Sequence, residues 1–406
     1  MTSGGSDPAG AANRIVTGAS TRTWGDLEPL DLPAAAAVMV SDNLEAARAV
    51  SSALQRGDGE LLIASRSRMT PELVDDLRAS GLAVVDGDTV LPATTERELS
   101  AGRIWLLTSG STGRPKRVAH TLDTLTTVGG QQPARTWLCP YAHGAYAWWQ
   151  IVTLGLTQPD QHILFVEPSE LDIWPGQALA AGVTAASGTP TFWRQALYRD
   201  PESVAALPLK QVTLGGEPVD QAILSRLTEM FPQARVSWIY ASSEAGATIA
   251  VHDGRAGFPQ EWLDREAPDR ATLSVEDDEL IISSSKRAEG IDARLRTGDR
   301  VDIADGRVVI TGRIASDEIN VGGAKVSASA VRNVLLSHPS VAWASVRGRK
   351  APIVGNIVTA EVVLVGAATD SDLTQWCAER LPDYSVPRRI RFLDTIPIKE
   401  TLKSDV

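Results

Sequence analysis

From residue 34 onward the chain alternates short apolar runs with amphipathic ones. Ala34 to Val40, Glu60 to Ala64 and Leu82 to Val85 are compact apolar runs of the length expected of buried strands. Between them, Asn43 to Gln55 is Ala-rich with apolar positions at helical spacing. Thr70 to Ser80 opens on Thr70-Pro71-Glu72, a helix start. This strand, helix, strand, helix, strand order predicts a parallel sheet covered by helices. Ahead of it, Ile15-Val16 and Arg22-Thr23 read as a short hairpin leading into a turn at Trp24-Gly25-Asp26-Leu27. Residues 1–14, rich in Gly, Ser and Ala, read as a flexible tail.

The alternation resumes after residue 120. Thr121 to Thr127, Ala145 to Leu154, Trp174 to Ala181, Phe192 to Tyr198 and Asp220 to Phe231 are expected helices. Thr136 to Cys139, Ile163 to Val166, Val183 to Ala186, Gln211 to Leu214 and Val236 to Ile239 are expected strands, with a turn at Ser187-Gly188-Thr189-Pro190-Thr191. From Leu273 the pattern changes to short strands and tight turns, Asp305-Gly306 being a hairpin signal. After Gly312-Arg313 a second unit is expected. It has helices at Ser329 to Ser337 and Asp370 to Arg380, and strands at Val341 to Arg347, Ile357 to Val365 and Ile390 to Leu393. The fold class is therefore α/β: a large N-terminal domain of helix-covered, mostly parallel sheets over 15–313, and a small C-terminal α+β lid over 314–406.

One stretch carries candidate chemistry at once. Ile104 to Leu107 lead into Thr108-Ser109-Gly110-Ser111-Thr112-Gly113-Arg114-Pro115-Lys116, where hydroxyls and glycines crowd together ahead of a lysine. Glycine lets backbone approach a ligand closely, while hydroxyls and free N–H groups donate to anionic oxygens. Such a loop wraps a polyphosphate. It is not the loop of a P-loop NTPase, which requires Gly-Lys followed by Ser or Thr and then a helix. Here Arg-Pro separates Gly113 from Lys116, and Arg117-Val118-Ala119-His120 alternates as a second strand would, so the loop caps a hairpin.

Composition narrows the class further. Hydrophobic residues make up 43% and charged residues 22%, as in soluble globular chains. No apolar run approaches the roughly 18 residues of a membrane helix. Cys139 and Cys377 can build neither a disulfide framework nor a metal cluster, and a cytoplasmic location is expected. A net charge of −11 argues against nucleic acid as a partner. The charge is uneven, since Arg313 onward carries a small positive excess on an acidic body, which suits a lid closing over a polyanion.

The loop at 108–116 resembles the phosphate loop of the adenylate-forming superfamily, which includes acyl- and aryl-CoA synthetases, luciferases and peptide-synthetase adenylation domains. Four further segments match that superfamily in its order. Gly215-Gly216-Glu217-Pro218 resembles the adenine-side loop. Tyr240-Ala241-Ser242-Ser243-Glu244 resembles the Y-G-x-T-E segment, with Ala241 and Ser243 in place of glycine and threonine. Thr297-Gly298-Asp299 followed by Gly312-Arg313 resembles the ribose-binding pair. Pro397 to Lys403 resembles the terminal segment that carries the lid lysine, with Leu402 where glycine is usual.

The resemblance implies roles for these residues. Thr108, Ser109, Gly110, Ser111, Thr112, Gly113 and Lys116 would hold phosphates. Gly215, Gly216, Glu217, Tyr240, Ala241 and Ser242 would meet the nucleotide, and Asp299 and Arg313 its ribose. Ser243, Glu244 and Lys403 would be catalytic, Glu244 holding Mg²⁺. The lid would pivot at Ser316 or Asp317 and present Gly322-Gly323 to an acceptor. The front of the first subdomain looks abbreviated, for a long helix and a strand are missing after Leu27. No carboxylate stands in Pro140 to Trp149 to hold a substrate ammonium, so His143, Trp148, Trp149 and Trp193 are expected to line an apolar acid pocket. The implied activity is ATP-dependent activation of an aryl or modest alkyl carboxylic acid, followed by transfer to a thiol. CoA is the first choice, Arg347-Gly348-Arg349-Lys350 being a candidate contact for its phosphate. A carrier-protein phosphopantetheine is second and a nitrogen nucleophile third. A catalytically silent nucleotide sensor is the alternative from another class. Neither nucleic acid nor membrane is an expected partner.

Overall fold

The computed structural model describes residues 9–18, 20–108, 115–266, 270–315, 317–351, 355–399 and 401–404. Two mostly parallel sheets form the body. The larger has eight strands in the spatial order Gly246–Val251, Arg235–Ser242, Gln211–Gly215, Ala185–Gly188, Arg135–Cys139, Gln161–Phe165, Arg14–Thr17 and Ser20–Thr23. The second has six, in the order Thr89–Leu91, Ala83–Asp86, Ala35–Val40, Glu60–Ser65, Arg103–Thr108 and Lys116–His120. Only the outermost pairings of each sheet are antiparallel. A continuous apolar core joins both sheets through the helices Asn43–Arg56 and Tyr146–Thr157.

Local chemistry sets these elements. Asp42 caps the helix 43–56 by accepting the Glu45 N–H, and Gly57 ends it at φ +70°. The strands 35–40 and 60–65 are almost wholly buried, as a sheet covered on both faces demands. Five antiparallel strands then follow between Phe258 and Arg313, where short strands and tight turns were expected.

The C-terminal unit has its own apolar cluster. Its elements are the hairpin Glu318–Val321 and Ala324–Ser327, the helix Ala328–Leu336, the long hairpin Val341–Ala351 and Gly355–Leu364, the helix Asp370–Ala378 and the strand Arg389–Phe392. Asp317 anchors its start. The carboxylate accepts from Ser327 Oγ at 2.6 Å and the Ser329 N–H at 2.7 Å, tying 317 to the first lid helix. Ser316, the other candidate pivot, lies outside the described residues.

Three expectations are revised, and a fourth agrees with the structure. Residues 9–13 are not a tail. Gly10 N–H donates to the Leu156 carbonyl at 3.0 Å, and Asn13 bonds Gly155, Gln158 and Gln161. The helix expected over 121–127 is a single turn, Leu122–Leu125, because Thr126 leaves helical geometry. Ser187 and Gly188 belong to the strand 185–188, not to a turn. From Trp24–Asp26 the chain runs to strand 35–40 without a helix between, matching the abbreviated front.

Candidate functional site

Carboxyl ends of strands from both sheets line one cavity, at Val40 and Ser65 on one side and Pro140 and Glu167 on the other, the position at which parallel sheets bind ligands. Strand 103–108 enters from the second sheet and pairs antiparallel with 116–120, Thr108 opposite Lys116, so the candidate phosphate loop does cap a hairpin. Ser109, Gly110, Ser111, Thr112 and Gly113 lie outside the described residues; Lys116 is exposed.

That hairpin is fastened to the Tyr240–Glu244 segment by a buried histidine. His120 Nε2 lies 2.7 Å from the Ser243 carbonyl and must donate to it, leaving Nδ1 to face Thr124 Oγ1 at 3.0 Å. Burial pushes the His120 pKa down, which favours this neutral form. Ser242 Oγ accepts the Ala245 N–H at 2.9 Å and fixes the turn after the strand. Glu244 makes no side-chain hydrogen bond or ion pair among the described residues.

The Tyr240 hydroxyl donates to Asp299, which also meets Arg313 Nε at 2.9 Å. Burial raises the Asp299 pKa, against the lowering effects of Tyr240 and Arg313. The expected pair 299 and 313 is thus brought together, with Tyr240 beside it. The guanidinium of Arg313 stays largely exposed.

Gly216 forms the floor. Its φ of +82° suits glycine, and a Cβ there would lie 3.4 Å from Lys403 Cε and 3.7 Å from Nζ. The lid lysine therefore reaches the bare backbone of the 215–217 turn. Lys403 has no salt-bridge partner among the described residues, and part of its surface is exposed. Desolvation lowers its pKa, Glu217 opposes that shift, and Arg313 adds to it. Lys403 and Arg313 are like charges acting on each other, a repulsion that an anion relieves.

Glu217 is half-buried and engaged within the protein. Its carboxylate accepts the Thr191 N–H and O–H and the Ser404 N–H. The three tryptophans depart from expectation. Trp148, Trp149 and Trp193 are 0% exposed and pack in the core, Trp148 against Trp149 and Phe165. Trp148 Nε1 donates to Asn43 Oδ1 at 2.7 Å. His143 of that set lines a cavity of about 290 Å³, shared with Tyr141, Ser65, Arg66 and Glu167. His143 Nδ1 is 3.0 Å from Ser65 Oγ and Nε2 is 3.2 Å from Glu167. Asn43 donates to the same carboxylate twice, and these contacts hold the Glu167 pKa low against desolvation. Gly144, at φ +72°, presses on the Ile63 carbonyl and fixes the approach of this turn to the second sheet.

Sequence reasoning passed over His120, Thr189, Thr191, Glu167 and Ser404. A Thr-Pro pair opening a helix was the one visible signal, since Thr189 caps helix 190–199 by accepting the Phe192 N–H. Among the described residues no cluster of three or more metal-ligating side chains occurs, and no helix is long and apolar enough to cross a membrane.

Helix-covered, mostly parallel sheets joined to a small C-terminal unit that brings a lysine to the 215–217 turn make a two-part α/β architecture. The chain belongs to the AMP-binding enzyme family, whose profile matches residues 34–283, with the AMP-binding enzyme C-terminal domain matching 330–403. A peroxisomal trans-cinnamate:CoA ligase of Petunia hybrida is 24% identical over 71% of this chain, which spans 58% of that protein's length. A 2-succinylbenzoate–CoA ligase of Bacillus cytotoxicus is 25% identical over 74% of the chain and 68% of that protein. Among solved structures, E. coli MenE superposes with a TM-score of 0.71 at 18% identity, over 94% of this chain and 93% of that one.

Proposed function

We propose that this chain uses ATP to convert a small carboxylic acid into an acyl-adenylate and then passes the acyl group to the thiol of CoA. The carrying observation is Lys403, delivered by the lid to the Gly216 floor without a carboxylate partner among the described residues and facing Arg313. The substrate carboxylate oxygen attacks the α-phosphorus, and the bond to the bridging oxygen breaks, releasing pyrophosphate. Negative charge accumulates on the α-phosphoryl oxygens in that step. Lys403, Arg313, Lys116 and the 108–116 donors oppose it, while Ser243 would bond the α-phosphate. Glu244 would hold the Mg²⁺ that accompanies ATP, which would supply positive charge to the phosphate oxygens. Asp299 would accept from the ribose hydroxyls and Tyr240 would pack on the adenine.

For the second step the lid turns about Ser316 or Asp317, withdraws Lys403 and brings up Gly322-Gly323, which form an exposed tight turn. The thiol sulfur then attacks the acyl carbon and AMP leaves. The named relatives are CoA ligases, which favours CoA over a carrier-protein phosphopantetheine or a nitrogen nucleophile, and Arg349 and Lys350 stand exposed on the lid hairpin. An aryl or modest alkyl acid is the substrate class, with the cavity beside His143 as its seat rather than the buried tryptophans. Carboxylate-dependent ATP–pyrophosphate exchange across a panel of acids tests the reading. Exchange with an aryl or alkyl acid is expected. Fastest exchange with a free α-amino acid overturns the substrate class, and no exchange despite ATP binding turns the chain into a sensor. Free CoA compared with phosphopantetheinylated carrier protein then decides the acceptor, efficient carrier loading without CoA thioester rejecting CoA.

A further inference from the structure

Lys403 is held by its two neighbours, and both are gripped by one helical turn of the body. The Leu402 carbonyl accepts from Thr189 Oγ1. On the other side, Ser404 N–H donates to Glu217 Oε1 at 3.1 Å, and Ser404 Oγ lies 3.0 Å from Thr191 Oγ1 and 3.1 Å from Trp343 Nε1.

The proton positions can be worked out. Glu217, when ionised, only accepts. Thr191 therefore spends its hydroxyl proton on Glu217 Oε1 at 3.0 Å, while its N–H donates to Oε2 at 3.0 Å. Ser404 must then donate to Thr191 Oγ1, and its remaining lone pair receives the indole N–H of Trp343. The result is one ordered chain, Trp343 to Ser404 to Thr191 to Glu217, running from the lid into the body and ending on a carboxylate. Such chains strengthen bond by bond in a dry setting, and both Ser404 and Trp343 are buried.

We propose that Glu217, with Thr191 and Ser404, is the latch that seats the lid lysine for the adenylation step. Glu217 is thereby a positioning residue, not a nucleotide contact. This rests on the activity proposed above. A second contact point lies nearby. Asp220 pairs with Arg194 at 2.5 Å, Arg194 also donates to the lid's Ala342 carbonyl at 3.2 Å, and the lid's Arg332 is buried within reach of the Asp220 charge. The 217–220 turn thus presents two carboxylates to the lid. Rotation of the lid breaks the bonds of Ser404 and leaves those between Glu217 and Thr191 intact, so the latch releases without disturbing the body.

Glu217→Gln and Ser404→Ala test this by two routes. Hydrogen exchange of the 396–404 segment, followed without substrate, should lose protection by about 10- to 100-fold in Glu217→Gln, the range of a lost charge-assisted bond, and by about 3- to 10-fold in Ser404→Ala, which keeps its N–H bond to Glu217 and loses only neutral hydroxyl bonds. Adenylation should fall by a similar factor relative to acyl transfer from supplied acyl-adenylate. Among the described residues, the charged groups acting on Lys403 are Glu217 and Arg313. Removing the Glu217 charge therefore moves the alkaline limb of adenylation to lower pH, and Ser404→Ala leaves that limb in place. Unchanged exchange in both variants overturns the latch. So does a raised KM for ATP with normal kcat in Glu217→Gln beside a wild-type Ser404→Ala. The hydrogen-exchange arm needs no acid, so it judges the latch even if the chain activates none.

Discussion

Leu402 occupies a position that the superfamily fills with glycine, and its geometry explains why. It adopts φ +59°, the left-handed region in which a side chain costs about 1–2 kcal/mol. The side chain is nevertheless 1% exposed and packs into the main core, which returns about 1.5–3 kcal/mol. Burial therefore offsets strain in this chain, and the balance can be perturbed from either end. Leu402→Ala keeps the strain and loses most of the burial, about 2 kcal/mol against lid seating. Leu402→Gly loses all of the burial and adds about 0.5–1 kcal/mol of backbone entropy, but recovers the strain. Its net cost is about 1–2 kcal/mol, so the glycine variant should be the milder of the two. This reverses the usual order, in which Gly is worse than Ala inside a helix or strand. The assay is protection of the 396–404 segment in hydrogen exchange, which should fall about 30-fold in Leu402→Ala and about 5- to 30-fold in Leu402→Gly. Adenylation rates should rank the same way. A glycine variant clearly worse than the alanine variant would refute the strain argument, and two wild-type variants would refute the burial.

Three further outcomes are expected. Trp148→Phe leaves the buried Asn43 Oδ1 without its donor and should lower stability by about 2 kcal/mol or more in thermal unfolding, with the ranking of acids in exchange unchanged; a reordered ranking would return Trp148 to the substrate pocket. Glu60 has its carboxyl pKa lowered to about 2, desolvation being outweighed by Arg97, the Ser100 N–H and Trp105. A depressed native pKa stabilises above the unfolded value and is lost as pH falls, so wild type should shed about 3 kcal/mol between pH 5 and 2, and Glu60→Gln should show little of that slope in acid unfolding. Asp299→Asn should raise the KM for ATP about 10- to 100-fold, measured by exchange at saturating acid, with a smaller change in kcat.

The sheets and the hairpin at 104–120 were legible because apolar runs and alternation are local signals. Asp299 and Arg313 were legible as a pair through the resemblance of their segments to a ribose-binding pair, whereas Leu402 in place of the usual glycine carried no reading of strain. The latch was not, because Thr191, Glu217, Trp343 and Ser404 lie far apart in sequence and each alone is an ordinary polar or aromatic residue. The tryptophans misled for a related reason. An aromatic run at helical spacing marks a buried face, and nothing local distinguishes a face turned to a cavity from one turned to Phe165. Residues 9–13 dock through a main-chain N–H and one asparagine, for which composition carries no signal.

The central claim is that a lid lysine completes the adenylation site and leaves it before acyl transfer. Single-turnover measurement of both half-reactions in wild type and Lys403→Ala tests it most directly. Acyl-adenylate formation should fall by about two to three orders of magnitude, the loss of one charged transition-state contact. Transfer from supplied acyl-adenylate to CoA should persist at a rate close to wild type. Equal damage to both half-reactions, or to neither, would contradict the account.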